Sequence, residues 1–139
     1  MKLKVVLEEN AIMPCRAHST DAGYDLYSRE DASILPGARA LFDTGVHMAI
    51  PNGYEGHIRS RSSVMWKKGC LTDGTIDSGY NGSIGVVLFN LSDKQVDIKK
   101  GEKIAQIVIE PIFTPELEKV DSLEETERGN GGFGSTGKF

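Results

Sequence analysis

Glycine and proline fall all along this chain, sixteen of one and five of the other, and they are scattered rather than clustered. They cut the chain into short pieces of the kind that strands and turns make. Between them lie runs rich in Val, Ile and Phe: KLKVVL (2–7), ALFDTGVHMAI (40–50), GYEGHIRSR (53–61), SIGVVLFNLS (83–92), KQVDIK (94–99) and KIAQIVIEPIF (103–113). Each reads as a strand bounded by Gly, Pro, Asn or Asp. In 40–50, Phe42, Thr44, Val46 and Met48 alternate with Leu41, Asp43, Gly45 and His47, the period of a strand with one face inward. Helix signals are few. SSVMWKKG (62–69) predicts one short helix, with Ser62 or Ser63 as cap and Gly69 as stop. PELEKVDSL (115–123) fits a helix face or an edge strand. The pattern predicts an all-β fold of jelly-roll or distorted-barrel type over residues 1–123. Residues 124–139 are charged and then glycine-rich, and read as a flexible arm.

Composition narrows the function classes. Sixteen basic and twenty acidic residues leave a net charge of −4, which argues against a general nucleic-acid binder. No apolar run is long enough to cross a bilayer, and the apolar stretch at the N-terminus is too short for a signal peptide. Cys15 and Cys70 are the only cysteines and lack metal-ligand spacing. Both are read as structural thiols in a reducing, cytoplasmic setting. His18, His47 and His57 are not spaced to ligate one metal, and Trp66 is expected to pack the short helix.

The arm carries the first chemical signal. GFGSTGK (132–138) nearly completes a phosphate loop, but Phe139 stands at the Ser/Thr position and no helix follows. A true phosphate loop draws on the helix behind it. Successive glycines can still turn backbone N–H groups into one anion-binding concavity. Arg128 adds a planar permanent charge, Ser135 and Thr136 add hydroxyls, and Phe133 can lie over a flat base. A disordered solubilising tail is the plainer reading of this segment taken alone.

Four further stretches hold similar groups: AGYDL (22–26), RSRSS (59–63), GTIDSGYNG (74–82) running into SIGVVLFN (83–90), and GEKIAQ (101–106). With RGNGGFGSTG (128–137) they resemble, in order and spacing, the five motifs of the trimeric dUTPases. The resemblance covers the chain from about residue 17 to its end. It implies a homotrimeric jelly-roll hydrolase that cleaves dUTP to dUMP and pyrophosphate with Mg²⁺, by water attack on the α-phosphorus. Such an activity limits uracil incorporation into DNA and supplies dUMP for dTMP synthesis. It also implies active sites between subunits, closed by the C-terminal arm, with no nucleic-acid or membrane partner.

The resemblance assigns roles residue by residue. Asp77 matches the carboxylate that activates the attacking water. Tyr80 matches the ring that lies on the deoxyribose and excludes a 2′-hydroxyl. Gly74, Ile76 and Gly85 fall where the hairpin backbone approaches uracil. Arg61, Ser62, Ser63 and Gln106 match phosphate contacts. Asp25 matches the carboxylate that holds magnesium through its water shell. Arg128, Phe133, Gly134, Ser135 and Thr136 match the γ-phosphate contact, the uracil lid and the phosphate hydroxyls.

Two rival readings stay open. Ser63 stands where the family carries glycine, and Arg-Ser-Ser is also how the dCTP deaminases read here. That sister family needs a glutamate where this chain has Val87, an arginine where it has Trp66, and tryptophan where it has Tyr80. Valine cannot transfer a proton. The second rival is a nucleotide-binding regulatory module without turnover, which could have lost Asp77 or the arm; this chain has both.

Overall fold

The computed structural model describes all 139 residues. Eleven short strands and one helix make up its regular structure: β1 Val5–Leu7, β2 Gly23–Tyr27, β3 Ala32–Ile34, β4 Arg39–Asp43, β5 Val46–Met48, β6 Tyr54–Arg59, α1 Ser62–Lys68, β7 Cys70–Leu71, β8 Asp73–Ile76, β9 Gly85–Asn90, β10 Val96–Ile98 and β11 Lys103–Pro111. Every pairing is antiparallel. The largest sheet has the order β2-β11-β6-β8, a second has β4-β9-β7, and β1-β5 and β3-β10 pair separately. The sheets do not close into a continuous barrel.

They share one core of eighteen buried residues, including Leu26, Phe42, Val46, Ile58, Val86, Leu88, Ile104 and Ile107. Alternation explains which side chains enter it. Phe42, Thr44, Val46 and Met48 are buried, while Leu41 and Asp43 face outward. The run 40–50 is nevertheless two strands, because Gly45 takes a left-handed φ of 68° and turns the chain between β4 and β5. Asn90 is fully buried yet satisfied. Its amide donates to Ile34 O at 2.9 Å and Lys94 O at 2.7 Å, and its oxygen accepts from Ser92.

The helix stops where expected, at Gly69 with φ 67°. Its cap differs from expectation. Arg61 holds the N-cap position with extended backbone and no side-chain hydrogen bond to the helix's free N–H groups, so neither Ser62 nor Ser63 caps. Trp66 does not pack the helix. It is 90% exposed, because Val64 is the helix's one buried residue. Residues 115–123 form neither a helix nor a strand. Cys70 is buried, whereas Cys15 is exposed with its thiol 3.0 Å from the Tyr27 hydroxyl.

Candidate active site

The largest sheet supplies the first half of the site. Asp25, Gln106, Arg59 and Asp73 stand in one row across β2, β11, β6 and β8. Their neighbours Leu26, Ile58 and Ile107 point into the core, so this row points out. Just past β6, Arg61 turns back over it. Its Nε donates to one Asp25 oxygen at 3.0 Å, and its Nη1 lies 3.3 Å from Ser63 Oγ. Lys103 Nζ sits 3.1 Å from the other Asp25 oxygen. Gln106 Nε2 donates to Ser60 O at 3.1 Å. Its side chain lies against Gly23, where an added Cβ would come within 2.2 Å of Gln106 Oε1. The motif glycine is therefore the space that Gln106 occupies.

These groups line one cavity of about 330 Å³, with Asp21, Gly23, Asp25, Arg61, Ser62, Lys103 and Gln106 on its wall. Behind it, the pKa of Tyr27 is pushed up to about 12, first by burial and then by its hydrogen bond to Cys15. Tyr27 stays neutral and adds no negative charge to a wall already carrying two carboxylates.

The second half lies elsewhere in the chain. Ile76 ends β8 opposite Gly56, and Asp77 follows, exposed. The turn is tight: Tyr80 N donates to Asp77 O at 3.1 Å, and Gly79 adopts φ 91°. Ser78 Oγ anchors it to Ile50 O at 3.0 Å. The Tyr80 ring folds back so that its hydroxyl donates to Ser83 O at 2.9 Å. It crosses Gly82, where a Cβ would lie 2.3 Å from that hydroxyl. Gly74 and Gly85 flank this turn on β8 and β9.

Asp77 does not meet the Asp25 cavity within one chain. It lies beyond the Gly56 end of β6, and Arg61 lies five residues from Gly56 in the other direction. At ~3.3 Å per residue, roughly 16 Å of strand separates the two ends. That exceeds both the ~3 Å reach of a general base and the span of three linked phosphates.

The arm stands apart from both halves. Arg128, Phe133, Gly134, Ser135 and Thr136 are exposed, and every hydrogen bond of 124–139 is internal, as in Arg128 Nε to Gly131 O at 2.9 Å. Phe133 takes a left-handed φ of 49° with its ring in solvent.

Sequence reading missed Lys103 and Asp21. Lys103 was hidden by strand arithmetic. Alternation places residues 103 and 106 on opposite faces, but the β2–β11 register shifts between Lys103 and Ala105. That bulge buries Ile104 and Ala105 together and leaves Lys103 and Gln106 on one wall.

A jelly-roll sheet scaffold carrying a cation-and-carboxylate cavity, with a separate carboxylate-bearing turn, defines a class that handles charged small molecules. Comparison with known proteins makes the class specific. The family profile described as dUTPase matches residues 9–137. The chain is 48% identical to the deoxyuridine 5'-triphosphate nucleotidohydrolase of Clostridium tetani, over 99% of this chain and 97% of that one. It is 49% identical to that of Nautilia profundicola, over 99% of this chain and all of the other. A solved structure of the Staphylococcus bacteriophage 80alpha dUTPase with dUPNHPP is similar at a TM-score of 0.93 and 39% identity, covering 99% of both chains. A point mutant of the dUTPase from phage phi11 of S. aureus, described as revealing the coordination of a structural Mg(II) ion, is similar at a TM-score of 0.84 and 36% identity, covering 90% of this chain and all of that one. This chain belongs to the dUTPase family.

Proposed function

We propose that the chain is a dUTP diphosphatase, adding water across the α–β phosphoanhydride of dUTP to release dUMP and pyrophosphate, and that its active site is assembled from more than one copy of the chain. The observation that carries the reading is the separation within one chain of the Asp25–Arg61–Lys103–Gln106 cavity from the Asp77–Tyr80 turn. Each half has the chemistry for one part of the reaction, and neither reaches the other. A homotrimer, with the arm of a further copy closing over the nucleotide, joins them.

In that assembly Arg61, Ser62, Ser63 and Gln106 hold the phosphates, and Lys103 adds a second cation. Asp77 takes a proton from the attacking water as the oxygen–phosphorus bond forms. The departing pyrophosphate keeps the bond electrons, and the cations of the cavity steady that charge. Tyr80 packs on the sugar. The backbone near Gly74, Ile76 and Gly85 faces the uracil edge. Arg128 meets the γ-phosphate, Phe133 covers the base, and Gly134, Ser135 and Thr136 donate to phosphate oxygens.

The cavity suits magnesium. Each Asp25 oxygen meets one cation, which leaves lone pairs to accept from a hydrated ion, and Asp21 shares the wall. Oxygen donors of this kind fit a hard cation that keeps its waters. When bound, Mg²⁺ would neutralise phosphate charge, with Asp25 holding its water shell.

The test is pyrophosphate release from dUTP, dCTP, dTTP and UTP in parallel, with and without Mg²⁺. Release from dUTP alone, dependent on Mg²⁺, is expected. Ammonia from dCTP would instead point to the deaminase sister family.

A further inference from the structure

His47 joins the first strand to the loop that carries Tyr80. On β5 it lies opposite Val6, so Glu8 is its diagonal neighbour across the β1–β5 pair. Its Nε2 is 2.8 Å from a Glu8 carboxylate oxygen, and its Nδ1 is 2.7 Å from the Asn81 carbonyl. Both partners only accept. A neutral imidazole has one N–H and can serve one of them; an imidazolium serves both. The Asn81 carbonyl has no other hydrogen bond, so His47 is its tether.

We propose that His47, as an imidazolium, is a positioning residue that fixes the Tyr80–Ser83 segment for the nucleotide sugar, so that its deprotonation weakens substrate binding. The inference rests on the reading above that Tyr80 meets the sugar.

The surroundings favour the charged ring. The Asn81 carbonyl and then the Glu8 carboxylate raise His47 above the ordinary imidazole value, and Asp43 adds to them. Loss of hydration opposes them, and Arg29, the nearby cation, is engaged with Asp43 at 3.0 Å and Glu8 at 3.7 Å. Lys4 lines the same open cavity as His47 and Asn81, without a contact to the ring. Because the folded value is raised, both hydrogen bonds are present below the ordinary pKa of 6.5, and one of the two is lost as pH climbs through the higher folded value.

The test compares pH profiles of KM and kcat for dUTP in the wild type, His47→Gln and Glu8→Gln. Wild-type KM should rise ~3-fold or more on the alkaline side while kcat holds. His47→Gln, whose amide does not titrate and whose one nitrogen can take only one of the two ring-nitrogen positions, should show a high and flat KM. Glu8→Gln should move the rise to lower pH. In the ligand-free protein, the amide NMR signals of Gly82 and Ser83 should titrate together with the His47 ring. Superimposable KM profiles in wild type and His47→Gln, or amide signals that ignore the ring, would overturn the proposal. No dUTP turnover at any pH would instead sink the functional reading, and the NMR titration would still judge the tether.

Discussion

Two carboxylates of this chain sit in opposite circumstances. Asp25 is gripped by Arg61 and Lys103, whereas Asp77 is exposed on a turn with its side chain free of hydrogen bonds. The first is held among cations, and on the proposed reading the second accepts a proton from water. Asp77→Asn should therefore lower kcat ~10²- to 10⁴-fold while an unhydrolysable dUTP analogue binds as before. Lys103→Met should weaken analogue binding ~10-fold with or without Mg²⁺, through loss of a charge-assisted contact. Turnover assays read the first effect, and calorimetric titration reads binding in both variants. Asp77, Arg61 and Gln106 were legible as motif residues because their spacing is a property of the chain. Lys103 was not, because its place depends on a bulge that exists only once β2 and β11 pair.

At the level of elements, the short strands were legible where apolar runs were dense. β2, β3, β7 and β8 were missed as strands: their alternation spans two to five residues and carries polar or glycine positions that read as turns. Trp66 misled for a related reason. A large aromatic suggests burial, but a seven-residue helix has room to bury little, and Val64 takes that place. The arm's independence predicts a clean separation of folding from activity. Deleting residues 128–139 should leave the circular dichroism spectrum and melting temperature unchanged, since the arm's hydrogen bonds are all internal. Turnover of dUTP should be nearly abolished. The loop anchored by Asp43 has its own pH signature. Hydrogen bonds from Ser83 and Gly45 hold that carboxyl below its ordinary value of 3.8. Its contribution is present above that pH and is lost as acid carries the solution below it. Asp43→Asn should remove that part of the acid-unfolding profile, read by fluorescence.

For the molecule as a whole, one copy of the chain leaves apolar surface without cover. Phe113, Leu117 and Leu123 are almost fully exposed along an extended segment, and Leu41 and Phe89 project from the β4-β9-β7 sheet. Such a distribution suits burial against other copies. Sequence reading located the motifs but not the distance between them. That distance follows from β6 and β8 running side by side and placing Asp77 and Arg61 at opposite ends. The most direct measurement is subunit complementation: co-express Asp77→Asn and Arg61→Ala chains, each inactive alone, and assay the mixed assemblies for pyrophosphate release from dUTP. Shared sites predict recovery of roughly a quarter of wild-type activity, from interfaces that draw one intact half from each variant. No recovery in verified mixed assemblies would contradict the account.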